Sequence, residues 1–254
     1  MGKSLTGCLA LGQEVMNNLQ GILLRFRENV LAAAGDIRKM IYCVRIAIED
    51  QMCQLFCHQF QDSDHVETFC MTRLVMGNKP STSISGVAMR ETSLLEDFAI
   101  RYPVAYQALN RDSYVDNTNC GADNLEQLRK NIQEIEYVAS RGGFIYKPWV
   151  LSGSKNPDVL IGPSSDDSLV EKNLGVVWQV MQDLLQIKPN VSYGNKRKGE
   201  RVSLLPFISD VNKVKKLNIC LRDCISVHAG CFDPLGLVMP VKMVGNILFR
   251  DYLH

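Results

Sequence analysis

Apolar residues at Leu11, Val15, Leu19, Ile22, Leu23 and Phe26 recur at helical spacing and predict an amphipathic helix over 11–28. The run "VLAAAGDI" that follows predicts a buried strand ending near Asp36. "YCVRIAI" fits a strand or a short helix. "QMCQLFCHQF" is another apolar run, "QDSDH" reads as a polar turn and "VETFCMTRLVM" as a strand. "GNKPSTSISG" has the Gly, Pro and Ser content of a loop, with a helix expected over 87–101. The clearest element comes later. Asn124 is placed to cap a helix whose stripe is Leu125, Leu128, Ile132, Ile135 and Val138, and Gly142-Gly143 stops it. Since "SYVDN" precedes this helix, the local order is strand, turn, strand, helix. "LSGSKNPDVLIGPSSDDS" reads as a surface loop, "LGVVWQV" as a strand and 217–227 as a helix, with Pro234 and Pro240 breaking the tail into short pieces.

The length of 254 residues suits one large domain, or a main domain with a smaller appendage, and we expect a division into 1–192 and 193–254. Apolar residues at 46% and charged residues at 22% allow a sizeable core. A formal charge of +1 neither favours nor excludes nucleic acid, which depends on whether basic residues cluster. The apolar stretches fall short of the roughly 20 residues needed for a membrane span. Nine cysteines behind no signal-peptide pattern suggest reduced thiols and an intracellular, cytoplasmic or nuclear setting. Met1-Gly2-Lys3-Ser4-Leu5-Thr6 matches the short myristoylation pattern, with Cys8 nearby for palmitoylation, but a Met that simply opens a truncated reading frame is the expected reading. The sequon at Asn190 has no role in an intracellular protein.

Three constellations could carry chemistry. Asp36 and Asp116 both end or interrupt strand-like runs. Carboxylates from adjacent strand ends can share two divalent cations about 4 Å apart, whereas isolated strand-end aspartates usually cap turns. Cys220, Cys224, His228 and Cys231 offer zinc-type ligands, but three of them share one helix face, which hinders a tetrahedron. Buried thiols in an apolar helix are the alternative. Cys53-x3-Cys57-His58 is a weaker version of the same pattern. Lys196, Arg197, Lys198, Arg201, Lys213, Lys215 and Lys216, beside Tyr193, could track a nucleic-acid backbone or form a solvated connector. Neither a nucleophile elbow nor a Gly-rich nucleotide loop is evident.

Taken in order, these segments resemble one family. "SLTGCLALGQEVMNNLQGILLRFRENVLAAAGDIRKMIYCVRI" is similar to the first catalytic motif and its approach in reverse transcriptases of BEL/Pao-type LTR retrotransposons. "VMGNKPSTSISGVAMRETS" resembles their template- and nucleotide-contacting loop and helix. "YPVAYQALNRDSYVDNTNCGADNLEQLRKNIQEIEYVASRGGFIYKPW" resembles their Tyr-x-Asp-Asp hairpin and the helix after it. "NLGVVW" and "CFDPLGLVMPVKMVGNILFRDYL" match a primer-grip strand and a C-terminal landmark.

The resemblance implies an α+β right-hand polymerase palm with a ferredoxin-like antiparallel sheet, partial fingers, and a small helical thumb or connection. It implies RNA-directed DNA synthesis with two Mg²⁺, dNTPs and an RNA or DNA primer-template, the other polyprotein regions lying outside this chain. Asp36 and Asp116 take the metal-ligand positions. Gly77, Pro80 and Ser81 fall where the family contacts template and incoming nucleotide, and Tyr114 and Val115 belong to the hairpin. The second hairpin carboxylate is Asn117 here. Ile41 stands where an aromatic screens the ribose 2′-hydroxyl, with Tyr42 one place late, and Thr82 replaces a proline. These departures imply an alternative: a decayed or domesticated pseudo-polymerase that only binds nucleic acid or protein.

Overall fold

A computed structural model describes residues 4–62, 64–152, 170–187, 192–193, 202–203, 210, 212–213 and 219–253. The chain separates into two compact units, Met1–Asp166 and Asp167–His254. Mixed helices and antiparallel sheets make up both.

The first unit opens with a one-turn helix α1 (Leu5–Cys8), then α2 (Leu19–Arg25), β1 (Leu31–Asp36) and α3 (Met40–Cys43). A short α4 (Ile48–Gln51) leads to β2 (Leu55–His58) and β3 (Glu67–Cys70). Next come α5 (Ser81–Thr92), α6 (Phe98–Arg101), α7 (Pro103–Arg111), β4 (Ser113–Tyr114), β5 (Asn117–Ala122), α8 (Leu125–Arg141) and β6 (Val150–Leu151). The central sheet runs β4-β5-β1-β6 in space, with every neighbouring pair antiparallel. Its two middle strands are therefore β1 and β5, far apart in sequence, with α7 and α8 packed against them.

Composition explains why β1 can occupy the middle. Alternate residues of a strand face opposite sides. Ala33 and Ile37 enter the main core with Leu128, Ile135, Val138 and Trp149, while Ala32 and Ala34 on the other face are buried as well. Small side chains let neighbours approach closely. A Cβ on Gly35 would lie 2.7 Å from the Trp149 indole, so only glycine admits that ring against the strand. Helix α8 supplies the opposing wall. Asn124 Oδ1 accepts from Gln127 N at 2.9 Å, and Leu128, Ile132, Ile135, Val138 and Ala139 are buried. Each fully buried large aliphatic stabilises by about 1.5–3 kcal/mol before entropy is counted.

Three expected elements differ. The helix expected over 11–28 forms only as α2, because the chain before it is used as an extended strap. Arg90 donates to Val15 O and to Asn17 Oδ1, and Asn17 Nδ2 donates to Ser113 O. Asn18 Oδ1 then caps α2 by accepting from Gly21 N. The expected loop at Ser81–Gly86 is instead the first half of α5. Its Ser81 hydroxyl donates to Val75 O and its Ser85 hydroxyl to Ser81 O, while Gly86 leaves room for Val15. Pro240 lies in the first turn of a 15-residue helix, where its missing N–H costs nothing.

The second unit contains β7 (Val170–Asn173), β8 (Val176–Gln179) and β9 (Leu184–Gln186) as an antiparallel sheet, and β10 (Ser192–Tyr193) paired with β11 (Val202–Ser203). Helices α9 (Leu221–Ala229) and α10 (Met239–Leu253) follow. Among the described residues, no helix is long and apolar enough to cross a membrane.

Candidate functional site

The β4–β5 hairpin turns in two residues. Tyr114 pairs with Asn117, leaving Val115 and Asp116 at the tip. Val115 adopts φ 53°, a left-handed conformation that a β-branched residue resists. Such strain persists only where the surroundings over-determine it. Here they do: Ile37 N donates to Asp116 O at 2.8 Å, tying the tip to the end of β1. At the root, the Ser113 hydroxyl donates to Ala108 O at 2.9 Å. A hydroxyl has one proton, so Ser113 accepts from Thr118 at 2.8 Å and Thr118 accepts from Tyr146 at 2.7 Å. Burial pushes the Tyr146 phenol well above its ordinary pKa and the neighbouring Cys120 thiol up to about 12, so both stay neutral.

This hairpin sets Asn117 directly across from Asp36 on the same sheet face. Asp36 and Asp116 line one cavity of about 730 Å³, with Ile41, Tyr42, Met76, Thr82, Ser85, Val115 and Lys147 among its other walls. The carboxyl of Asp116 is raised above its usual range, first by burial and then by the Asp36 charge, with Lys147 opposing. Lys147 Nζ lies 2.8 Å from Asp36 Oδ1. This polar contact with Asp36, aided by the charges of Asp36 and Asp116, holds the ammonium above its ordinary pKa. Asp36 Oδ1 is otherwise shielded and meets no further donor among the described residues. Asn117 Oδ1 is likewise shielded and without a hydrogen-bond partner among the described residues.

The donor set suits a hard divalent cation. Two carboxylates line one cavity from adjacent strand ends, with the unpartnered Asn117 amide paired across from Asp36, and such ions take their remaining ligands from water or substrate. No group of three or more His, Cys, Asp or Glu residues comes together among the described residues.

The remaining candidates are placed as follows. Ile41, Tyr42 and Val115 line the cavity, whereas Tyr114, Asn117, Gly77, Pro80 and Ser81 do not. Gly77 turns the chain at φ 93° and Pro80 precedes α5. Ser81 is buried, with its hydroxyl bonded to Val75 O. Lys196, Arg197, Lys198 and Arg201 lie outside the described residues, as do Lys215, Lys216, Asn190 and Gly2. In the cysteine constellation, Cys220 Sγ donates to Asp223 Oδ2 at 2.9 Å and His228 bonds Asn246, so two of its four candidate ligands have protein partners. All nine cysteines are free. Sequence reasoning missed Lys147, Met76, Thr82 and Ser85 as cavity residues. Nothing local marks a lysine before Pro148; its role comes from pairing with β1.

No known protein-family profile matches the chain. Residues of this chain are 29% identical over 128 positions to the carbamoyl phosphate synthase small chain of Thermotoga maritima, an overlap of 50% of this chain and 27% of that protein. That overlap is too short and too divergent to assign a family. Among solved structures, the chain is similar to the foamy viral protease-reverse transcriptase in complex with double-stranded DNA, with TM-scores of 0.48 to two such structures, at 13% and 12% identity. These cover 87% and 89% of this chain and 30% and 37% of theirs. The same viral protein bound to an RNA/DNA hybrid gives a TM-score of 0.44 at 13% identity, covering 85% of this chain and 23% of that one. The chain thus spans about a third or less of most of these proteins.

Proposed function

We propose that this chain is the palm portion of an RNA-directed DNA polymerase, with a ferredoxin-like β-α-β-β-α-β sheet and residues 193–254 as a connection-like region. The observation that carries the proposal is the delivery of Asp36 and Asp116, eighty residues apart, to one cavity at the ends of two adjacent antiparallel strands. The pattern of BEL/Pao-type motifs supports the finer family assignment.

In this reading Asp36 and Asp116 would hold two Mg²⁺, whose charge would favour nucleotidyl transfer between a primer hydroxyl and an incoming nucleotide. The protein's own contribution is positioning. The Ile37 N to Asp116 O bond fixes the separation of the two strand ends. Val115, Ile41 and Tyr42 bound the space for the nucleotide, and Ile41 presents no ring against a 2′-hydroxyl. Gly77, Pro80 and Ser81 shape the approach to α5 as a template contact, and Lys196, Arg197, Lys198 and Arg201 follow the nucleic-acid backbone through phosphate charge. Nine free thiols suit an intracellular setting.

Primer extension on an RNA template with Mg²⁺ and dNTPs tests the proposal. Wild type should extend and Asp36→Asn should lose at least about a hundredfold in rate, the order expected when a charge-stabilising group is removed. Equal rates for the two proteins would sink it. Asn117 favours a second reading, because a neutral amide replaces one charge beside the metals. A protein that binds primer-template with steep salt dependence, yet incorporates nothing, would be a binding-only descendant of the polymerase.

A further inference from the structure

Resting on the metal-site reading above, we propose that Lys147 is a built-in counter-ion, which competes with divalent cations for Asp36 and so sets the metal affinity of the site. Three features carry the inference. The first is placement by main chain alone. Lys147 N donates to Asp36 O at 2.7 Å, Arg38 N donates to Ile145 O at 2.8 Å, and Ile37 bridges Tyr146. Residues 145–147 thereby extend the sheet alongside 36–38, and the position of Lys147 does not depend on its side chain.

The second feature is charge. Asp36 and Asp116 line one cavity from adjacent strand ends, and their like charges repel. The Lys147 ammonium at 2.8 Å from Asp36 Oδ1 offsets this in the metal-free protein. Arg38 and Lys39 also line the cavity. Among the described residues, the ion pair at Asp36 is made by Lys147, on an oxygen that a cation would take.

The third feature is reversibility. The Lys147 side chain is 52% exposed and that of Asp36 41%, so the ammonium can swing into solvent and leave a carboxylate that water still reaches. Solvent screening keeps the pair weak, and a divalent ion outcompetes it at moderate concentration. Asn117 leaves less repulsion for a counter-ion to offset. With one negative charge fewer than a three-carboxylate site, a resident cation weighs more heavily against metal entry.

Binding of Mn²⁺, followed by loss of the free-ion signal in electron paramagnetic resonance, tests this without turnover. Lys147→Met keeps bulk and removes charge; it should tighten Mn²⁺ binding about tenfold relative to wild type, the scale of one partly screened charge. Lys147→Gln should behave alike and guards against a folding defect in the first variant, while Lys147→Arg should stay near wild type. Equal or weaker binding by both neutral variants, with binding still abolished by Asp36→Asn, overturns the role of Lys147 and leaves the metal site standing. Absence of any Mn²⁺ binding sensitive to Asp36→Asn removes the metal site, and this inference with it.

Discussion

Two antiparallel strand pairs in the first unit show opposite uses of the same geometry. β1 and β5 carry alanine, glycine and short polar residues, and most of β1 is buried on both faces. β2 and β3 carry Leu55, Phe56, Cys57, His58 and Phe69, and stay largely exposed. Large aromatic side chains do not make the ribbon a core. They stack on one another instead: Phe56 on Phe69 at 5.7 Å, Phe60 against Phe69 at 5.9 Å and His58 against Phe60 at 4.6 Å. What buries a strand is a second layer, and a second layer needs room. Ala33 and Gly35 give α8 and Trp149 that room; Phe56 and Phe69 occupy it themselves. The candidate site lies on the strand pair that is held from outside.

The sharpest way to break this contrast is Trp149→Ala. It should cost about 3–5 kcal/mol in urea unfolding followed by circular dichroism, because the indole is 1% exposed, packs on Gly35 and donates to Glu136 Oε1. A loss below about 1 kcal/mol would mean that β1 is held no better than the exposed ribbon.

A smaller effect probes the electrostatics of the buried pair. The folded-state pKa of Asp116 is raised, so the folded protein takes up this proton more readily than the unfolded chain does. The group therefore costs stability above its folded pKa, and the cost fades as pH falls through that value toward the ordinary 3.8. Asp116→Asn should stabilise the metal-free protein at pH 7 by less than about 1 kcal/mol after allowance for solvent screening, and the gain should vanish near pH 4. Unfolding midpoints across that range measure it; a gain that grows on acidification would contradict the sign. Smallest of all, Phe56→Ala should change global stability by less than about 0.5 kcal/mol while speeding amide exchange within β2 and β3.

The same contrast explains what the sequence disclosed. Helix α8 was legible from Asn124 and its apolar stripe because both signals are local. β1 was legible as a continuous apolar run, and the hairpin as an aromatic-Val-Asp-Asn tip between strand-like residues. The strap at 11–18 was not, since its apolar spacing is helical and only Arg90, distant in sequence, takes up Val15 O and Asn17 Oδ1. The start of α5 was not, because Ser81 and Ser85 look like loop residues until their hydroxyls are seen bonding to Val75 O and Ser81 O. Asp36 and Asp116 were proposed as a pair from motif order, and the sheet supplies the register that joins them. Lys147 needed that register before it could be seen at all.

That register has a guardian that never reaches the cavity. The hydroxyl relay from Tyr146 through Thr118 and Ser113 to Ala108 O closes only when Thr118 points into the core. Sliding β5 by one residue would turn Thr118 to the opposite face and strand a phenol that is 8% exposed, at a cost of about 1–3 kcal/mol for the unmet group. The slipped pairing would also set a different residue across from Asp36. Three neutral hydroxyls thus penalise misaligned pairings of the strands that carry an ionic site.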